Sequence, residues 1–199
     1  MYTKLTNNPF SVTRVHPHFV VYDGPFSNSE LDIICSHWDQ QPSERGRDKG
    51  NYRISDINWI HISNDTAWIF DKLNPTLEKM NDDHFQYNLT GYDHIQYSTY
   101  SAEKNGRYDW HMDMAFNLLP AQQPENRKMS VSLMLNQEGL DFEGGEFEVN
   151  GSSERRAEKV MLNKGQLVMF PSFLIHRVAP VTKGTRKSLV IWVLGPKLK

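Results

Sequence analysis

One cysteine, Cys35, stands in a chain of 199 residues. No intrachain disulfide can form, so the chain need not be made in an oxidising compartment. No stretch of roughly 18 apolar residues occurs, which removes the usual transmembrane helix. The start, Met1 to Asn8, has no apolar run that would serve as a signal-peptide core. An excess of either charge is also missing: 22 Lys and Arg against 24 Asp and Glu leave a formal net charge of -2. That is too weak a field to draw nucleic acid or anionic membrane without sequence preference. There is no internal repeat and no low-complexity segment. From these absences a cytoplasmic protein with no membrane partner is expected, and the length suits one domain, 1–199. The oligomeric state stays open at this point.

What is present falls into two textures. Phe19-Val20-Val21-Tyr22 reads as a strand, and the turn Asp23-Gly24-Pro25 leads into a helix signal in which Ser27 and Glu30 form a capping box. Leu31, Ile34, Cys35 and Trp38 then make one apolar stripe of a helix running to about Gln40, with Cys35 as a small buried hydrophobe. Residues 42–53 are polar and glycine-containing, a surface loop rather than a linker. A second helix is expected from about Thr66, with Ile69, Phe70, Leu73, Leu77 and Met80 facing a core and Pro75 kinking it or starting a new turn. From about residue 93 strands take over. They are expected at 94–100, 128–135, 145–149, 166–170, 173–178 and 188–194, with turns at Asn163-Lys164-Gly165 and Thr182-Lys183-Gly184. The fold class is therefore mainly β with flanking α: a sandwich or jelly roll with the N-terminal helices packed outside one sheet. Helical support spans about 25–90 and the β core about 93–195.

Within the strand-rich half lies Tyr108-Asp109-Trp110-His111-Met112-Asp113. With eight histidines in the chain, a His-x-Asp pair arises easily by accident, and His37-Trp38-Asp39 is a second one. Residues i and i+2 share a face of a strand but stand about 200° apart around a helix, so only a strand-borne pair readily grips one metal. His37 and Asp39 close the first helix and should not chelate, whereas His111 and Asp113 can. His176 sits in the apolar run Phe173 to Val178, where it is either a satisfied core histidine or a third ligand. Asp113 among Met112, Met114 and Phe116 would be costly to bury unpaired. Two histidines and one carboxylate with open positions are the ligand set of non-haem Fe(II) oxygenases.

Arg186 adds a second chemistry. An antiparallel hairpin centred near Val181 would bring it close to His176, with Ser188 on the same face. An arginine fork suits a carboxylate. Taken singly each of these residues is ambiguous, but the four in this order and spacing are hard to assemble by accident.

Together they resemble the 2-oxoglutarate- and Fe(II)-dependent dioxygenases, and within them the prolyl 4-hydroxylase-like, PKHD-type branch. The likeness runs from about Arg53 to Gly195. It includes Arg53-Ile-Ser55 with Trp59, Gln96-Tyr97-Ser-Thr-Tyr100, the His111-Met-Asp113 segment, Arg127-Lys-Met-Ser130-Val-Ser132, Gly144-Gly145-Glu146-Phe147, Phe170-Pro171-Ser172, and His176 through Arg186 to Trp192.

The resemblance implies a double-stranded β-helix of the cupin-like jelly-roll kind. His111, Asp113 and His176 would hold Fe(II), and Arg186 would pair with the distal carboxylate of 2-oxoglutarate. Tyr100 and Ser188 would assist, and Tyr97, by alternation, would face the other way. It further implies a reaction in which 2-oxoglutarate and O2 become succinate and CO2 while a C–H bond is hydroxylated, with ascorbate as a reductant. Arg53, Trp59, Tyr108 and Trp192 would line the substrate groove, and Met114, Phe116, Leu133 and Trp192 would supply dry walls.

The implied partner is a peptide or protein carrying proline, or else a free amino acid or other small molecule. The nucleobase-demethylating branch usually has a second arginine where this chain has Trp192, so nucleic acid is not expected. Two other classes compete with the oxygenase: a non-catalytic jelly-roll binding module and a zinc hydrolase. The complete ligand set argues against the first. Arg186, and the lack of a glutamate base beside the ligands, argue against the second.

Overall fold

A computed structural model describes residues 18–46, 52–92, 94–114, 125–150 and 157–196. The N-terminal part comprises β1 (Val20–Asp23), α1 (Asn28–Trp38), β2 (Glu44–Arg45), β3 (Arg53–Ile54), β4 (Asp56–Ile60) and α2 (Ala67–Met80). The remainder comprises β5 (Ile95–Ser101), β6 (Arg107–His111), β7 (Glu125–Met134), β8 (Phe142–Gly144), β9 (Phe147–Asn150), β10 (Glu158–Val160), β11 (Gln166–Pro171), β12 (Ile175–Val178) and β13 (Val181–Pro196). An eight-stranded sheet runs β1-β11-β7-β13-β5-β4-β2, with β8 joined to β13 off this path, and a five-stranded sheet runs β10-β9-β12-β6-β3. Every strand pairing is antiparallel. This is the expected mainly β double-stranded β-helix, with two helices outside one sheet.

The helices are specified locally. Ser27 accepts from the Glu30 backbone N–H while Glu30 accepts from the Ser27 N–H, closing the expected capping box on α1. Leu31 and Ile34 of α1, and Ile69, Phe70, Leu73, Leu77 and Met80 of α2, then bury against Ile95, Tyr97, Met129, Val131, Leu133, Leu189, Ile191 and Val193 of the eight-stranded sheet. Each such aliphatic side chain contributes about 1.5–3 kcal/mol when fully buried. The helix-facing side of this sheet is therefore where most of the adhesion resides.

Several expectations need correction. No new helix starts at Pro75, which lies inside the continuous α2, and a π-helical turn, Asn81–Phe85, follows that helix. Thr182-Lys183-Gly184 is not a hairpin turn. It lies inside β13, where the register against β8 shifts and Gly184 takes φ 67°. Consequently β12 and β13 do not form a hairpin: β12 pairs with β6 and β9 in one sheet, β13 with β5, β7 and β8 in the other. The chain crosses between sheets at Ala179 and Pro180, so His176 and Arg186 meet across the roll. The strand expected from Phe173 starts at Ile175. Strands β2, β3 and β4, in a region read as helical support and loop, extend both sheets. Among the described residues no helix is long and apolar enough to cross a membrane.

Candidate metal and co-substrate site

Between the sheets, one pocket is lined by His111, Asp113, His176, Arg186, Ser188, Tyr100, Tyr108, Arg53 and Trp192, together with Gln96, Phe147, Phe170 and a few small side chains. The strand period accounts for most of it. On β5 the pocket takes Gln96 and Tyr100, and Tyr97 is sent to the helix side, where its hydroxyl donates to Asp39 at 2.7 Å. On β13 it takes Arg186, Ser188, Val190 and Trp192.

On β6 the period alone would fail, because Tyr108 and His111 are three residues apart. A β-bulge resolves this: His176 is opposite His111 but Val178 is opposite Tyr108, so β6 carries one extra residue. Both rings then face the pocket and stack, with centroids 3.5 Å apart and planes 14° from parallel. Asp113 departs from expectation in another way. It is not strand-borne, since β6 ends at His111. The Asp113 and Met114 backbone N–H groups both donate to the Ser172 carbonyl at 2.9 Å, and this holds the carboxylate at the pocket.

His111, Asp113 and His176 each offer one ligand atom, all within 4.8 Å of one another, a cluster able to hold a metal ion. Nε2 of His111 is 3.6 Å from Asp113 Oδ1, and Nε2 of His176 is 3.5 Å from Oδ2. The opposite nitrogens are tied to backbone carbonyls, His111 Nδ1 to Asp109 O at 2.7 Å and His176 Nδ1 to Leu174 O at 2.9 Å. A carbonyl only accepts, so each Nδ1 carries the hydrogen and each Nε2 lone pair points at the cluster, the outer-shell arrangement that orients metal-ligating histidines. Electrostatics agree. Burial, and then the neighbouring His176, push His111 down to about 4, so its ring is neutral near pH 7. Burial alone would raise the Asp113 carboxyl, but the two histidines and the Ser130 hydroxyl outweigh it and hold the group below its ordinary value.

Arg186 is 2% exposed, and its Nη1 donates to Ser188 Oγ at 3.1 Å. Its Nη2 is buried with no hydrogen-bond partner, as is the Trp192 indole nitrogen. The indole lies toward the Asp113 carboxylate, which it helps to hold ionised, whereas a buried donor left unmade costs about 1–3 kcal/mol, so Arg186 Nη2 fits a ligand with acceptor oxygens. Gly145 makes room for the arginine: it sits at φ 67°, and a Cβ there would meet Arg186 Cδ at 3.0 Å and Val181 Cγ2 at 2.8 Å.

Of the residues expected at the site, Trp59 is not in the lining. Its indole donates to Glu44 at 2.7 Å, and its ring lies behind Trp192, centroids 6.2 Å apart. Leu133 is no wall of the pocket, since it packs in the helix-side core. Met114 is buried, and Phe116 lies outside the described residues, as do 47–51 of the polar loop. Gln96, Phe147, Phe170 and Arg127 stood in the motifs of the resemblance but were given no role: the first three line the pocket, and the Arg127 guanidinium lies 3.9 Å above the Trp192 ring. Gln96 was legible in the alternation of β5, sharing the parity of Tyr100. Arg127 was not, because the register of β7 against β13 shifts between Val193 and Leu194, opposite it.

A jelly roll holding two histidines and a carboxylate beside a buried arginine defines a class of non-haem metal site. Residues 95–194 match the 2OG-Fe(II) oxygenase superfamily, and the chain belongs to that family. Membership implies Fe(II), 2-oxoglutarate and O2, and the donor set described above fits them.

In sequence the chain is similar to PKHD-type hydroxylases, 38% identical over 88 residues to one from Teredinibacter turnerae and 34% over 98 residues to one from Nitrosomonas europaea. These matches cover 44% and 49% of this chain but only 38% and 41% of the relatives' own lengths. In structure it is similar to a prolyl-4-hydroxylase of Pseudomonas putida, with TM-score 0.69 at 19% identity, covering 92% of this chain and 94% of that one. A prolyl hydroxylase of Trichoplax adhaerens, solved with a peptide fragment of the hypoxia inducible factor oxygen degradation domain, gives TM-score 0.70 at 17% identity over 88% of this chain and 83% of that one.

Proposed function

We propose that this protein is a 2-oxoglutarate-dependent dioxygenase that hydroxylates a C–H bond, with a peptidyl proline as the first candidate substrate. The observation that carries the reading is the unpaired Nη2 of buried Arg186 in the pocket that also holds His111, Asp113 and His176. Iron and the keto acid, when bound, supply the oxidising chemistry, and the protein supplies binding, orientation and exclusion of water.

His111, Asp113 and His176 would hold the metal, offering it two Nε2 atoms and one carboxylate oxygen. Arg186, braced by Ser188, would take the distal carboxylate of 2-oxoglutarate with a charge-assisted hydrogen bond. Tyr100 stands next to it, the Arg186 guanidinium carbon 5.7 Å from the ring centre. Phe147 and Phe170 flank His176 with centroids 5.5 and 4.6 Å away, a dry wall on that ligand. Tyr108, stacked on His111 and overlain by Arg53 at 4.7 Å, forms the wall where a substrate would lie. The likeness to prolyl hydroxylases supports peptidyl proline as the first substrate to try.

The test is an anaerobic titration of the Fe(II)-loaded protein with 2-oxoglutarate. A metal-to-ligand charge-transfer absorption is expected in the wild type and not in His111→Ala. Tight zinc binding with no such band would turn the reading toward a hydrolase or a binding module.

A further inference from the structure

We infer that Arg127 selects a substrate carrying a carboxylate, on the Asp113 side of the pocket. This rests on the oxygenase reading above and adds the charge of the substrate to it. Arg127 extends from the start of β7, half-buried, with its guanidinium 3.9 Å above the Trp192 ring. Its one hydrogen bond among the described residues is to the Asp113 backbone carbonyl, at a weak 3.5 Å.

Arg177 provides the internal control. It too stacks on a tryptophan, Trp110, at 4.6 Å, but its charge is paired with the Glu148 carboxylate through Nε. Arg127 has the ring and lacks the carboxylate: among the described residues no acid is within salt-bridge reach of it.

Charge in the loaded pocket points the same way. Asp113 is the one acidic residue in the lining. A divalent metal and a dianionic keto acid would cancel, and Arg186 matches Asp113, which leaves the charges of Arg53, in the lining, and of Arg127, beside it against Trp192 and the Asp113 carbonyl, for whatever enters next. A guanidinium stacked on an indole keeps its in-plane donors available, in the planar fork that matches a carboxylate. A neutral carbonyl would satisfy one donor but leave the charge uncompensated in a partly desolvated site. The carboxylate can belong to a free amino acid, to a peptide C-terminus or to an acidic side chain, and the experiment separates these.

Calorimetric titration of the anaerobic Fe(II)·2-oxoglutarate protein would use three pairs of probes: N-acetylproline and its amide, a proline-ended peptide with a free or amidated C-terminus, and a capped peptide with glutamate or glutamine beside proline. At least one acid should bind about 10-fold more tightly than its neutral partner, as one charge-assisted hydrogen bond implies. Arg127→Gln should erase that preference, Arg127→Lys should keep part of it, and 2-oxoglutarate affinity should stay within about twofold in both. No acid preference in any pair overturns the inference. So does a preference that survives Arg127→Gln, or a fall in 2-oxoglutarate affinity as large as that for the acid, which would make Arg127 a co-substrate ligand instead. If the wild type binds no 2-oxoglutarate, the oxygenase reading falls and this inference with it. Binding of 2-oxoglutarate without acid preference removes this inference alone.

Discussion

The two faces of strands β5, β7 and β13 are built from the same backbone and do opposite work. Toward the helices the residues are Ile95, Tyr97, Met129, Val131, Leu133, Leu189, Ile191 and Val193, an almost unbroken apolar surface. One residue along each strand, toward the interior of the roll, stand Gln96, Ser98, Ser130, Ser132, Arg186 and Ser188, all buried and all polar. Polar groups there would be a poor choice for adhesion, since each must be hydrogen-bonded or cost free energy. Some are satisfied within the protein, Gln96 with Ser98 at 2.5 Å and Ser130 with Ser172 at 2.9 Å. Arg186 Nη2 is not. The difference separates a face that holds the fold together from a face that holds something else. The separation can be attacked from either side.

The largest effect on stability is expected on the helix face. Leu133 is fully buried there, and Leu133→Ala should cost about 2–5 kcal/mol in transfer and cavity terms. Denaturant unfolding checks this. The fraction still folded should bind 2-oxoglutarate as the wild type does, and a proportional loss of binding would break the comparison.

On the interior face the roles reverse. Arg186→Ala removes up to two charge-assisted hydrogen bonds to the co-substrate, about 3 kcal/mol or roughly 100-fold in affinity. Thermal stability of the metal-free protein should hold or rise, because a buried cation with an unmet donor has gone. Arg186→Lys should retain part of the binding, since charge remains while the fork is lost. Equal affinity in wild type and Arg186→Ala would sink the co-substrate assignment.

A third test uses pH on the metal-free protein. His111 has a folded value of about 4, set first by burial, against an ordinary value near 6.5 in the unfolded chain. Between those values the unfolded chain holds a proton that the native protein refuses, so stability is intact above about pH 6.5 and falls as the pH drops toward about 4. The loss should be on the order of 2 kcal/mol, and Asp113, also held below its ordinary value, extends the decline to lower pH. Unfolding curves at pH 7.5 and pH 5 measure it. His111→Asn should flatten the dependence, and a wild type equally stable at both would contradict the burial argument.

How much of this was legible in the chain follows the same division. Helix α1 was plain because its signals are local: a capping box and a stripe at helical spacing. The sorting of Tyr97 from Tyr100 was plain because period two is a property of any strand. The site was recognisable as a set of residues, but the reasons first given for its assembly were partly wrong. His111 and Asp113 do not share a strand, and His176 and Arg186 do not share a hairpin. Asp113 is positioned by backbone donation to Ser172, which lies far along the chain, and Arg186 by crossing to the second sheet after His176. Such contacts leave no local pattern. The bulge in β6 that turns Tyr108 toward His111 is equally silent, since one extra residue in a strand has no necessary composition. Short strands β2 to β4 were hidden because two to five residues cannot establish a period.

The smallest effect comes from the N-terminus of α1, and it tests how cleanly the two faces are separated. Ser27 Oγ accepts from the Glu30 N–H at 3.3 Å, and the Glu30 carboxylate accepts from the Ser27 N–H at 2.9 Å and pairs with Lys72 of α2 at 2.6 Å. Ser27→Ala removes the first of these and leaves the other two, so the loss should be about 1 kcal/mol. That corresponds to about 2–4 °C in Tm for a chain of this size. The helix itself should persist, because Leu31 and Ile34 remain buried on the sheet. Any signal from Ser27 to the pocket would have to pass through the apolar layer and then through the sheet, whose side chains alternate and share only backbone. A close-packed layer can give by a fraction of an ångström without turning Arg186 away from Ser188. The affinity for 2-oxoglutarate, measured well below Tm, should therefore be unchanged in Ser27→Ala. A clear shift in that affinity would mean that helix packing sets the position of the interior residues, and that the two faces act as one element.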